Sequence, residues 1–305
     1  MEMERSQQAR RVVVSGITGH VGRELGRQLS AAGIEVHGLT RQHVDDIPPY
    51  PDRVVLHQID GRTETLVALF EEVRPQAVIH LAALARRDHL VTDIVPFFEA
   101  NILYGTQLLE AMRLCGCRRL VTAESTLQFS QTGEHRPLNL YAATKQAFWD
   151  LLTYYVDAFG LSATALALPT IYSEYETVPK LMTDIASAWR TGGVLKLQTD
   201  EVLLDFVHVE DVAGAFVAAF GLLEPEGPDK QGLLRRYCVS SGGAVTPLEL
   251  LALFERIGER KLRMQKAAAA GNSRRGRPWR GPGVPGWKPQ VNLEAGIKRM
   301  LVRHQ

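Results

Sequence analysis

The chain predicts an α/β fold, a doubly wound parallel sheet with helices on both faces, and three observations lead there. Short apolar, β-branched runs alternate with helical patterns. The first run ends in a glycine-rich turn that opens directly into a helical pattern. The composition, 305 residues with 45% apolar content and a formal net charge of +1, suits one compact subunit with a large core and a smaller lobe.

Strands are predicted near 12 to 15, 34 to 39, 54 to 58, 77 to 80, 119 to 123 and 162 to 168, with helical patterns between them. In such a sheet, sites form at the carboxyl ends of the strands, so Ser15, Leu81 and Ser125 should converge. After Pro169 the pattern becomes less regular. Residues 1 to 168 plus 203 to 242 are therefore assigned to an NAD(P)-binding unit of Rossmann type, and 169 to 202 plus 243 to 305 to a substrate-binding lobe. The stretch from Gly271 to Gly286, rich in Gly, Pro and Arg, reads as a loop or lid carrying Arg274, Arg275, Arg277 and Arg280.

Composition also excludes. Near-neutral charge argues against a nucleic-acid binder. Cys115, Cys117 and Cys238 form no C-x-x-C pair, and the histidines show no ligand spacing, so reduced thiols and no metal are expected. A polar N-terminus and the lack of any long apolar run predict a cytoplasmic protein with no membrane span.

Two motifs carry chemistry. In the run Val12 to Gly22, Gly16, Gly19 and Gly22 permit a tight turn, close approach of backbone to a pyrophosphate, and packing of helix on strand. Thr18, His20 and Val21 lie in the same turn and are assigned to cofactor binding with it. Tyr141-Ala-Ala-Thr-Lys145 puts an ammonium one helical turn from a phenol, a proton donor with its tuner. Bringing a phenol of pKa about 10 towards neutrality needs roughly 4 kcal/mol of differential stabilisation, which nearby positive charge can supply. At the end of the second strand, Thr40-Arg41 offers a guanidinium where NAD-selective proteins place an acid, so NADP(H) is favoured over NAD(H).

The G-x-x-G-x-x-G spacing together with Y-x-x-x-K resembles the extended short-chain dehydrogenase/reductase family of nucleotide-sugar epimerases, dehydratases and ketoreductases. The likeness runs through nearly the whole chain: Val78 to Ala83, Asn101 to Thr106, Leu120 to Ser130, Leu166 to Tyr172, Asp205 to Asp211 and Gly286 to Pro289 match family landmarks in order. It implies that Leu81, Ala82, Ala83 and Pro169 border the cofactor and that Asp60 contacts the adenine amine. It further implies that Ser125 hydrogen-bonds the reacting oxygen, Asn101 holds a water, and Lys145 binds the nicotinamide ribose. Thr126 and Thr170 fall beside the substrate. Similar proteins dimerise through the helices that here span about 97 to 114 and 141 to 159.

Departures from the family pattern narrow the reaction. Dehydratases carry acid after the strand-five Ser/Thr, where this chain has Thr126 and Leu127, so dehydration is disfavoured. The family's diphosphate-binding Arg before Asp205 is Leu204, which leaves Arg274 or Arg275 to compensate. Leu166-Ala-Leu-Pro-Thr resembles deoxysugar 4-ketoreductases. The expected activity is NADPH-dependent reduction of a keto group on a nucleotide-linked deoxysugar by a homodimer. The alternatives are an NAD-dependent nucleotide-sugar epimerase and a non-catalytic cofactor-sensing protein.

Overall fold

The computed structural model describes residues 10–86, 88–130, 132–197, 202–223, 232–267 and 278–303. Six strands fall close to their expected places: β1 (Arg11–Ser15), β2 (Glu35–Thr40), β3 (Val54–Gln58), β4 (Ala77–His80), β5 (Arg119–Ser125) and β6 (Ser162–Leu168). With β10 (Leu234–Cys238) they form one seven-stranded parallel sheet in the order β10-β6-β5-β4-β1-β2-β3. The order reverses between β1 and β4, which opens a crevice at their carboxyl ends. Register lines those ends up: Ser15 pairs with His80, His80 with Thr122, and Ser125 with Leu168.

Each sheet face buries its own apolar layer. Helices α1 (His20–Ala31) and α7 (Val209–Gly221) cover one face through Leu25, Leu29, Val212 and Phe216. Helices α2 (Thr63–Val73), α4 (Tyr104–Cys115) and α5 (Leu140–Phe159) cover the other through Leu66, Phe70, Met112 and Leu152. Strands buried on both faces read as continuous apolar runs, which is why Val12-Val13-Val14 lacks alternation.

A third cluster joins Tyr172, Ile185 and Leu197 to Leu250, Phe254, Ile297 and Met300, and takes in Phe206 from the segment 203 to 242. It rests on α6 (Leu181–Thr191), α8 (Pro247–Ile257) and α9 (Leu293–Arg303), and on two small sheets, β7 (Thr170–Tyr172) with β9 (Phe206–His208) and β8 (Val194–Leu197) with β11 (Arg263–Lys266).

Two local devices aim the site. Asn139 caps α5, its side chain accepting from the amide of Ala142 at 2.9 Å, which sets the first turn that carries Tyr141. A short helix, α3 (Ile94–Phe98), runs into α4 through a π-turn at Glu99–Leu103. That widened turn buries Asn101.

Candidate functional site

The phosphate turn is built from backbone. Gly16 has φ +75°, and a Cβ there would come within 2.7 Å of the Ala82 amide nitrogen, so the β1 turn lies directly against the loop after β4. A Cβ on Gly22 would overlap the Gly16 carbonyl, which seats α1 against the turn. Gly19 is the N-cap of α1 and supplies no side-chain cap. The first amides of α1, from His20, Val21 and Gly22, therefore have no helical acceptor and can bind an anion. Thr18 lies in the turn itself.

Three further side chains assigned to the cofactor have the following surroundings. His20 reaches across to the lobe, with Nε2 2.6 Å from Ser173 Oγ and Nδ1 3.0 Å from Glu176. Asp60 accepts from the Arg62 amide and the Thr65 hydroxyl and serves the start of α2. Those bonds hold its carboxyl below the usual range. Arg41 is exposed just beyond β2.

At the ends of β4, β5 and α5 the site is made of buried polar side chains. Ser125 Oγ accepts from the Leu127 amide at 3.2 Å, so its proton remains available to a ligand. Thr126 donates to the Leu168 carbonyl, and Thr170 opens β7 with its amide on the Asp205 carbonyl. Pro169 links β6 to β7. Lys145 is 1% exposed, and its Nζ is unpartnered within the protein. His80 donates to or accepts from Ser15 Oγ at 2.7 Å while its Nε2 is likewise unpartnered. Asn101 holds three partners: its oxygen accepts from the Leu84 amide, and its nitrogen donates to the Leu84 carbonyl and Thr144 Oγ1. Its amide thus fastens the loop after β4 to α5.

The protein's own groups push the phenol away from neutrality, opposite to the expectation from the Tyr141–Lys145 spacing. Burial, with the Glu124 carboxylate adding to it, raises Tyr141 to about 12. Burial lowers Lys145 to about 8 against the pull of Glu124. Burial and the Lys145 charge bring His80 down to about 3, so it is neutral.

Glu124 and Arg236 are the residues that sequence reasoning missed. Arg236 on β10 grips Glu124 with Nε and Nη2, at 2.5 and 3.0 Å. A glutamate in a central strand, close behind Leu120-Val121, was the available signal, since a buried acid needs a partner. Arg274 and Arg275 lie outside the described residues. Leu204 packs into the lobe through a bridge to Val245. Among the described residues no cluster of ligands suited to a metal occurs, and no helix is long and apolar enough to cross a membrane.

An unpartnered buried Lys145 Nζ, free helix amides and a glycine turn too tight for any side chain together fit a dinucleotide laid across the crevice. A model of the NAD dependent epimerase/dehydratase family matches residues 12–229. The chain is similar to a UDP-glucose 4-epimerase of Mycolicibacterium smegmatis, 29% identical over 95% of this chain and 97% of that one. It is also similar to a dTDP-glucose 4,6-dehydratase of Mycobacterium tuberculosis, 24% identical over 82% and 78%. A crystal structure of Thermus thermophilus UDP-glucose 4-epimerase in complex with NAD superposes with a TM-score of 0.80 at 28% identity, covering 96% and 98% of the two chains.

Proposed function

We propose that this chain, which belongs to the NAD dependent epimerase/dehydratase family, is a nucleotide-sugar 4-epimerase that acts through a bound nicotinamide dinucleotide. One observation carries the reading: the similarity to UDP-glucose 4-epimerases extends over nearly the whole length of both chains, in sequence and in structure. It displaces the ketoreductase expected from the Leu166 to Tyr172 stretch. Elimination chemistry is also disfavoured, because Thr126 and Leu127 offer no acid or base beside Ser125.

The roles divide as follows. The turn from Gly16 to Gly22 holds the pyrophosphate on the amides of α1, and Leu81, Ala82 and Ala83 border the dinucleotide. Lys145 binds the nicotinamide ribose through the Nζ that the protein leaves unpartnered. Bound there, the oxidised nicotinamide would supply a hydride acceptor at the sugar C4 and a positive charge beside the phenol. Tyr141 takes the proton from the C4 hydroxyl and returns it after the sugar turns over, while Ser125 donates to the same oxygen. Asn101 holds the geometry by tying the loop after β4 to α5. The division into a cofactor unit and a substrate lobe, and a role for Arg274 or Arg275 on the diphosphate, belong to the same proposal.

The test is incubation of purified protein with UDP-glucose and no added reductant, following UDP-galactose by chromatography. Formation of the epimer without net change at the nicotinamide absorbance is expected. Failure to form it, with stoichiometric oxidation of NADPH by a nucleotide-linked 4-keto-6-deoxyhexose, would establish the ketoreductase instead. That second reading is favoured by one observation, the exposed Arg41 with no acid at the end of β2.

The proposal includes a dimer. Val91, Val95, Phe98 and Leu103 form one exposed apolar stripe that continues across the π-turn, Val95 being 63% and Leu103 53% exposed, and Tyr154 on α5 is 57% exposed. Light scattering should give twice the mass of the chain, and Phe98→Asp should return the monomer.

A further inference from the structure

Gln128 is a fully buried amide beside Ser125 to which the proposed chemistry gives no part. Strand β5 ends at Ser125, which caps a single 3-10 turn, Thr126–Gln128. The two side chains close a capping box: Ser125 Oγ accepts from the Leu127 amide at 3.2 Å, and Gln128 Oε1 accepts from the Ser125 amide at 2.9 Å. The box fixes where the Ser125 hydroxyl stands, and it uses that hydroxyl as an acceptor, so the proton is left for a ligand.

Charge at both ends aims Gln128. Its Nε2 donates to Glu124 Oε1 at 3.3 Å and to Gln146 Oε1 at 3.4 Å. Glu124 is held in turn by Nε and Nη2 of Arg236, whose guanidinium lies 3.4 Å from the centre of the Trp149 ring. Gln146 donates through its own Nε2 to Asp150 Oδ1 at 3.1 Å. A carboxylate only accepts and a backbone amide only donates, so these partners select one orientation of each glutamine. Turning Gln128 over would set its nitrogen against the Ser125 N–H and its oxygen against the Glu124 carboxylate. Gln146 follows Lys145 on α5, so the same amide joins the strand end that carries Ser125 to the helix that carries Tyr141 and Lys145. The backbone of the turn has separate support: the Gln128 carbonyl accepts from the Arg136 amide at 2.9 Å, and the Leu127 carbonyl from the Leu138 amide at 3.0 Å.

We infer that Gln128 is a positioning residue whose side-chain amide holds the Ser125 hydroxyl in place for the reacting oxygen and acts on the chemistry through Ser125 alone. The inference rests on reading Ser125 as the donor to that oxygen. Its physical basis is that a donor stabilises developing charge only when it is oriented before the reaction, and Gln128 supplies that orientation from a buried network with no freedom to turn over.

A double-mutant cycle in the full chain tests it. Gln128→Met keeps the length of the side chain and removes its hydrogen bonds. Alone it should lower kcat about tenfold and move KM by less than about twofold, because an oriented donor counts in the transition state. Ser125→Ala should lower kcat about a hundredfold. Together the two should cost no more than Ser125→Ala alone, since Gln128 then has no hydroxyl to orient. Should Gln128→Met fail to fold, Gln146→Met removes the acceptor on α5 instead, and the same cycle is read with a first step of about threefold. Additive losses, an unchanged kcat, or a raised KM at unchanged kcat overturn the inference. The cycle can be read on the epimerisation of UDP-glucose or on the reduction of a nucleotide-linked 4-keto-6-deoxyhexose by NADPH, because a donor to the reacting oxygen serves both. Non-additive losses in the reduction, with no epimerisation, overturn the epimerase and uphold Gln128. Epimerisation with additive losses does the reverse, and turnover of neither substrate overturns both.

Discussion

The phosphate turn and the acid–base corner lie at neighbouring strand ends, yet they are built from different materials. At the turn, backbone does the binding: Gly16, Gly19 and Gly22 matter for the side chains they lack, and the donors are helix amides. At the corner, ionisable side chains do it: Lys145, His80 and Glu124 are buried on α5, β4 and β5, and Arg236 on β10 pairs with Glu124. A backbone site depends on shape and is indifferent to pH. A side-chain site depends on a balance between desolvation and countercharge, so a single charge removed at a distance retunes it.

The largest effect expected from testing this contrast is at the corner. Tyr141→Phe should retain cofactor affinity while turnover drops about 10²- to 10⁴-fold, the usual worth of general acid–base catalysis. Retained turnover would remove Tyr141 from the chemistry. At the turn, Gly16→Ala should do the reverse of a clean catalytic lesion. A positive φ and a Cβ pressed on the Ala82 amide should cost roughly 3 kcal/mol of stability and most of the cofactor affinity together, at every pH. A pH-dependent loss there would blur the distinction between the two regions.

Smaller changes sharpen it. If Arg41 clamps a 2′-phosphate, wild type should bind NADPH more tightly than NADH, and Arg41→Ala should erase about 1.5 to 3 kcal/mol of that preference. Equal affinities in wild type would instead match an enzyme that keeps NAD.

The bridge from the turn to the lobe should be the acid-sensitive part of the turn region. Burial raises Glu176, but hydrogen bonds from His20 and Lys180 outweigh it and hold the carboxyl at about 2. A depressed carboxyl stabilises the fold fully above its ordinary pKa and loses that contribution as pH falls from about 5 towards 2. Glu176→Gln should therefore lower stability near neutrality by about 2 kcal/mol and flatten the acid limb of a urea-melt series. An unchanged acid limb would mean that the lobe is held to the turn by apolar packing alone.

The sequence by itself determined six of the sheet's seven strands, the phosphate turn and the helix that carries Tyr141 and Lys145. These are local events: apolar runs of strand length, glycines in a short turn, and residues four apart on one helix, all legible without knowing what packs against them. Tertiary structure alone decided the charge state of the corner. Glu124 and Arg236 are 112 residues apart in the chain, and their pairing depends on β10 joining the sheet beside β6. Tyr141 is pushed up to about 12 because burial, a property of the assembled fold, and the Glu124 carboxylate both disfavour the phenolate. Asn101 and His20 likewise found partners across the fold, in Thr144 and in Ser173 and Glu176, that no spacing along the chain announces.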